Sequence, residues 1–492
     1  MKQIAFDLGA SSGKVMLGEF DGTCLTTEVI HRFPNRQICV SDHLYWNFLG
    51  IYQNLTEGIR KGCAAAGGTP VSIGIDAYCN DFGLIGRNGD LITQVRCYRD
   101  LRMARNEAEI YRIMSKRELH FQNGNQNALF NTLIQLAAMR LEGDGFLLDQ
   151  CETLLHIPDL LTYFLTGQRH SEYTLASVSQ MFRWETSDWN PEILSRFEIP
   201  AKLLAPIIMP GTVAGEMTKA TAEEIGVPRM KVTAVGGHDT ASAVAALPTN
   251  EPHAAYISSG TWSLMGVEIP KPIINEQTYR YNIAIEGGVG GRYRMLKNVM
   301  GLWLIQECRL KYRKMGMEYE FAELVDLARR EKSFVSLIDP DDEAFYMPGD
   351  MLRKIRDYCT GTGQPAPETP GQFIRVIEDS LALKYRWVME TLEKILGYRI
   401  ESIYILGGGG KDTLLNQLTA NACGRTVYVG PQEAALTGNF LMQLKAAGAI
   451  GNLEQGREVI ARSTQIGVYE PQEQKAWDEA YEYFLTLLPR SE

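Results

Sequence analysis

The residues best placed to do chemistry are His238, Asp239 and Thr240, in the run AVGGHDTASAVAALP from Ala234 to Pro248. Gly236 and Gly237 close a strand-like segment, and the small residues through Ala246 let a helix pack tightly behind them, so Asp239 stands at a helix N-terminus. A carboxylate there can take the proton of a hydroxyl, a poor nucleophile, while the helix end lays positive potential on a phosphoryl group in transfer. Asp239 or Thr240 is equally suited to cap that helix, and a histidine beside a cap, as His238 is, is commonly structural.

Three glycine-bearing turns could hold a nucleotide. The first, DLGASSGK from Asp7 to Lys14, looks like a P-loop but places only three residues between Gly9 and Gly13, follows Lys14 with Val15, and leads into a strand. Such a turn can still cradle phosphate. Gly9 and Gly13 admit close approach of backbone, Ala10, Ser11 and Ser12 bring N–H groups, the serines add hydroxyls, and Lys14 adds a charge. Asp7, at the strand end, is suited to Mg²⁺ held through water. The plain alternative is an ordinary hairpin turn. A second copy, SSGTW, brings Ser258, Ser259, Gly260 and Thr261. The third, Gly407 to Gly410 before a helix capped near Asp412, leaves bare backbone on which an adenosine could pack. The acidic run IDPDDEAF, Ile338 to Phe345, lacks the glycine and the distal glutamate of a calcium loop and reads as an exposed, solvated turn.

These turns need sheets to carry them. Lys2 to Leu8 alternates as a strand, Val15 to Phe20 follows as a second, and Asp21-Gly22 turns the chain into a third at Cys24 to His31, an antiparallel meander. Ala254 to Ile257 and Ser263 to Ile269 repeat the first hairpin about 250 residues later, which suits an ancient duplication into two domains of common size. Helical periodicity runs from about Met103 to Phe164, with a cap expected at Asp159, and again from about Glu307 to Leu396, broken by the loop GTGQPAPETPG. The domain boundary is expected in Leu247 to Ala254, giving an N-terminal domain over 1–247 and a C-terminal domain over 248–492.

With 49 basic and 59 acidic residues among 492, the net charge of −10 and the lack of a long basic run argue against nucleic acid as a partner. The nine scattered cysteines form no CxxC pair and read as reduced thiols of a cytosolic chain. Asp7 interrupts what would be the apolar stretch of a signal peptide, and no apolar run approaches spanning length, so neither export nor a membrane partner is expected.

Taken together, DLGASSGK, YRD at Tyr98 to Asp100, FNTL at Phe130 to Leu133, HDTASAV, SSGTWSLMG, GRYRMLKNVMGLWL at Gly291 to Leu304 and TLLNQL at Thr413 to Leu418 resemble the L-rhamnulokinase family of the FGGY group of carbohydrate kinases, in order over nearly the whole chain. The resemblance implies two ribonuclease H-like α/β domains of the actin and hexokinase type around an ATP cleft. It implies transfer of the γ-phosphoryl of Mg·ATP to O1 of a ketose by a cytoplasmic enzyme, active as a monomer or homodimer. By resemblance Asp239 is the catalytic base. Ala10, Ser11, Ser12, Gly13, Lys14, Thr261, Gln306 and Gly408 contact ATP, and His238, Asp239, Thr240 and Asn298 contact the ketose. Within SIGIDAYCNDF the family pattern has Trp-Gly where this chain has Tyr78-Cys79. That glycine lies at the sugar, so Cys79 adds bulk in the pocket and opens L-fuculose, L-xylulose or glycerol as alternative acceptors. Lys14 replaces the family's usual arginine, keeping the charge and losing its fork. A different class, an actin-like ATPase without a sugar substrate, shares the phosphate turns and lacks a reason for the His238-Asp239 pair.

Overall fold

The structure is a computed structural model that describes residues 1–489. Two compact units divide the chain: Met1–Asn250, Ile269–Met295 and Ala434–Thr464 make the first, and Glu251–Glu268, Leu296–Glu433 and the residues from Gln465 onward make the second. The chain first leaves the first unit after Asn250, and two later segments return to it.

The first unit is built on a six-stranded mixed sheet. Its order is Thr212–Glu216, Lys231–Ala234, Ser72–Ala77, Lys2–Leu8, Ser12–Phe20, Leu25–Pro34. The opening meander is antiparallel, while Ser72–Ala77 runs parallel to Lys2–Leu8 and Lys231–Ala234 runs parallel to Ser72–Ala77. Both faces of the central strands are apolar, as a sheet covered on both sides requires. Ile4, Phe6, Leu8, Val15 and Ile73 pack with Phe48, Ile51, Leu55 and Ile59 of the helix Phe48–Ala66. Ala5 and Met16 on the other face pack with Leu436, Phe440 and Leu444 of the helix Ala434–Ala446.

The second unit repeats the pattern. Ala254–Ser259 and Trp262–Ile269 form the antiparallel pair, and Ser402–Leu406 and Thr426–Val429 add parallel strands beyond Ala254–Ser259. The long helix Pro370–Leu396 starts from a capping box between Thr369 and Gln372, with proline at its first position. It follows the Pro- and Gly-rich loop, as expected.

Two local expectations change. The helix Ile157–Thr166 is capped by His156, and Asp159 lies inside its first turn, because its carboxylate is used by the buried Glu172 N–H at 3.1 Å. The run IDPDDEAF is not a solvated turn. Asp339 is buried, and Lys384 of the long helix reaches it at 2.7 Å and Asp341 at 3.1 Å. Asp341 Oδ1 accepts the Met300 N–H at 2.9 Å, so this loop is stitched to the neighbouring strand by compensated charge. Among the described residues no helix is long and apolar enough to cross a membrane.

Candidate active site

The helix that follows the GGHDT turn begins on Asp239 itself, and His238 occupies the cap position without a side-chain capping bond. Asp239 is therefore not the cap. Its carboxylate instead accepts a hydrogen bond from the Thr240 hydroxyl at 3.2 Å. Nearly a third of the side chain still meets solvent (31%). Even so, the loss of hydration pushes its pKa up to about 6, against the opposing pull of Thr240 and Arg294, with Glu286 adding to the rise.

The turn is held rigidly. Glu172 Oε2 accepts the Gly237 N–H at 3.0 Å, Thr174 Oγ1 accepts the His238 N–H at 3.1 Å, and Gly237 O accepts the Ala77 N–H at 2.9 Å. A Cβ on Gly237 would lie 2.7 Å from Leu175 and 2.9 Å from the Glu172 carboxylate, so glycine here is a requirement of close approach. Burial raises Glu172 to about 7. Nothing in the sequence around Glu172 distinguishes it from a surface acid, and its role was not legible there.

Asp7 pairs in register with Asp76 on one side and with Lys14 on the other. Asp76 is fully buried; its Oδ2 accepts from Asn439 at 2.6 Å, and its Oδ1 is buried without a hydrogen-bond partner. Burial, the Asp7 carboxylate beside it and then Asp239 push Asp76 well above the ordinary range. Sequence reasoning passed over Asp76, whose signal was a carboxylate one residue from the C-terminal end of the buried strand Ser72–Ala77.

In the first turn, Gly9 N–H donates to Ser12 O, and Asn35 fastens the loop from outside through Gly9 O and Ser11 O, each at 3.0 Å. Ser11 and Ser12 are exposed, with Ala10 and Lys14 half-buried. Gly13 has another reason to be glycine: a Cβ would fall 2.0 Å from the Phe33 ring.

Cys79 is half-buried, with Asn80 donating to its sulfur at 3.1 Å. Burial first, then the negative charges of Glu286 and Asp239, hold its thiol well above the usual range.

The remaining expected residues lie in the second unit. Gly260 N–H donates to Trp262 O, and the N–H groups of Leu302 and Trp303 close on Gly260 O and Thr261 O at 3.1 Å. Gln306 is one turn into the helix that starts there, Trp303–Lys314, and is half-buried. The glycine run packs against the same hairpin, since a Cβ on Gly409 would lie 2.0 Å from Ser259 Oγ, whereas one on the exposed Gly408 would meet nothing. Asp412 caps the helix Thr413–Cys423 by accepting the Leu415 N–H at 3.0 Å, as expected. Asn298 sits on the strand Tyr293–Met300, next to Lys297, whose burial lowers its pKa to about 8.

The N-terminal domain of the FGGY family of carbohydrate kinases matches residues 3–246, and the family's C-terminal domain matches residues 255–447. The chain belongs to that family. Membership implies a sugar acceptor and the use of ATP. Rhamnulokinase of Bacteroides thetaiotaomicron is 41% identical to this kinase over 486 residues, 98% of this chain and 99% of that protein. Rhamnulokinase of Bacillus subtilis is 35% identical over 469 residues, 95% of each chain. Among solved structures, ligand-bound xylulose kinase from Lactobacillus acidophilus superimposes with a TM-score of 0.80 at 15% identity, covering 99% of this chain and 97% of that one. Glycerol kinase from Plasmodium falciparum with ADP gives 0.78 at 14% identity, covering 99% and 97%. At such identities these likenesses bear on the two-domain α/β fold alone.

Proposed function

We propose that the kinase transfers the γ-phosphoryl group of ATP to O1 of L-rhamnulose, giving L-rhamnulose 1-phosphate. The observation that carries this reading is Asp239, a half-buried carboxylate on the first residue of a helix, raised to about 6 and flanked by His238 and Thr240, in a chain that matches rhamnulokinases over nearly its whole length. Asp239 accepts the proton of the O1 hydroxyl as the new O–P bond forms, and the helix N-terminus beneath it favours the negative charge that gathers there. Ala10 through Lys14 hold phosphate oxygens by backbone N–H groups, hydroxyls and the lysine charge, and Thr261, Gln306 and Gly408 contact the rest of the nucleotide. His238, Thr240, Cys79 and Asn298 contact the ketose.

The paired carboxylates Asp7 and Asp76, with burial and mutual repulsion raising Asp76 well above the ordinary range, offer the oxygen donors that a divalent cation takes. Asp7 would hold Mg²⁺ through water, and Mg²⁺ when bound neutralises charge on the phosphates.

The sequence favours a second acceptor: Cys79 puts a Cβ and a half-buried sulfur where the rhamnulokinase pattern has glycine. An ADP-release assay over L-rhamnulose, L-fuculose, L-xylulose and glycerol, with ³¹P spectra of the products, tests the assignment. The reading requires that L-rhamnulose give the highest kcat/KM and a primary phosphate ester at O1. Preference for another acceptor reassigns the substrate, and ATP hydrolysis indifferent to every sugar removes the kinase reading.

A further inference from the structure

Arg294 is fully buried at the start of the strand Tyr293–Met300. Its Nε donates to Gly287 O at 3.0 Å. Its Nη2 lies 2.8 Å from Glu286 Oε2 and 3.1 Å from His238 Nδ1. A guanidinium carries only donors and stays protonated in proteins. A ring nitrogen 3.1 Å away must therefore offer its lone pair. Glu286 Oε2 is also 3.5 Å from Nδ1, but it is nearer Arg294, which engages its charge. The other ring nitrogen, Nε2, lies 3.5 Å from Asp239 Oδ1.

We infer that Arg294, anchored by Glu286, is a positioning residue that fixes His238 as the neutral imidazole with its proton on Nε2, so that the only N–H of the ring faces the side where Asp239 lies. The inference rests on the reading of Asp239 as the base. Two consequences follow from the geometry. A neutral ring adds no positive charge beside Asp239, which would otherwise weaken it as a base. A donor on that side can hold Oδ1, or the oxygen of a hydroxyl entering between them, so that the proton to be removed meets an oriented carboxylate. Of the titratable groups, Arg294, Glu286 and Asp239 face the ring directly, Glu172 holds the turn behind it, and Tyr173 and the Cys79 thiol feel the charge of Arg294. Burial first and Arg294 second keep the imidazole neutral well below its ordinary range, in agreement with the contact geometry.

The test is the tautomer itself, read from multiple-bond ¹H–¹⁵N spectra of enzyme labelled in histidine, with the His238 signal assigned by its loss in His238→Gln. The expected result is a protonated Nε2 and an unprotonated Nδ1 throughout the neutral pH range. In Arg294→Met the ring should populate both tautomers or titrate, and kcat should fall roughly 10- to 100-fold with the KM for ATP little changed. Arg294→Lys, which keeps a cationic donor, should restore the Nε2–H form in part. A proton on Nδ1 in the wild type overturns the inference. So does an Arg294→Met enzyme that keeps the Nε2–H form yet loses turnover, since Arg294 would then act only by packing. Should Arg294→Met fail to fold, the wild-type spectrum decides alone. Because that spectrum needs no substrate, an Nε2–H ring in a protein without sugar kinase activity would sink the base assignment and leave this one standing.

Discussion

At the scale of single residues the chemistry turns on how far burial has moved Asp239. With a pKa of about 6, Asp239 is mostly ionised at neutral pH and still basic enough to accept a hydroxyl proton. On the proposed reading of Asp239 as the base the ionised form is the active one, so kcat/KM should be flat above neutrality and fall tenfold per unit as pH drops below about 6. Asp239→Asn should lower kcat roughly 100-fold or more with ATP still bound, and should remove that acid limb from whatever activity remains. Near-normal turnover in a folded variant would take Asp239 out of the role. Cys79 makes a separate prediction. Overpacking a tight pocket costs ~1–3 kcal/mol, enough to reorder two deoxyketoses. Cys79→Gly should therefore shift the ratio of L-rhamnulose to L-fuculose turnover by about tenfold or more, with the KM for ATP unchanged. An unchanged ratio means that the pocket has already retreated around the sulfur. As candidates, Asp239 and His238 stand out in the sequence because the GGHDT run is local. Asp76, Glu172, Glu286 and Arg294 do not, because each meets partners distant in sequence: Asp76 meets Asn439, Glu172 meets Gly237, and Glu286 and Arg294 both meet His238.

At the scale of elements, period and turn chemistry were enough to place the opening meander, its copy at Ala254, and the glycine turn before Asp412. What they could not supply was the identity of the helix behind the sheet. The helix Ala434–Ala446 packs on Lys2–Leu8 and on the Asp239 helix, although more than 180 residues separate it from either in the chain. Its sequence, AALTGNFLMQLKA, is buried nearly all round and so shows no amphipathic stripe by which an eye could orient it. Gly438 marks the crossing. A Cβ there would lie 1.7 Å from the Ser242 carbonyl oxygen of the Asp239 helix, so the two helices touch backbone to backbone. Gly438→Ala should push them apart, costing ~1–3 kcal/mol of stability. Because Asp239 is the first residue of the displaced helix, kcat should fall as well, although position 438 is remote from the substrate. Thermal unfolding together with kcat checks this. A variant with unchanged melting and turnover would mean that the contact relaxes without moving the base.

At the scale of the molecule, the first unit is assembled from three stretches of chain, and its last piece arrives after most of the second unit has been made. The domain boundary near Leu247 that prolines suggest marks where the backbone crosses, yet the core of the first unit includes Leu436, Phe440, Leu441, Met442 and Leu444 from beyond it. Three polar partners cross the same gap: Asn439 to Asp76, Gln443 to the Ile4 carbonyl, and the Ser72 hydroxyl to Gln443. A fragment of residues 1–247 would thus keep its meander and parallel strands but expose one apolar face of the sheet and leave Asp76 without a donor. Such a loss of specific packing with secondary structure retained is the condition for a molten state. The fragment should show far-UV helix and strand signals, weak near-UV signal, dye binding to exposed apolar surface and little amide protection. A fragment of the same residues that unfolds cooperatively, with native-like amide protection in Lys2–Leu8 and Ser72–Ala77, would mean that the helix Ala434–Ala446 decorates the first unit without completing its core.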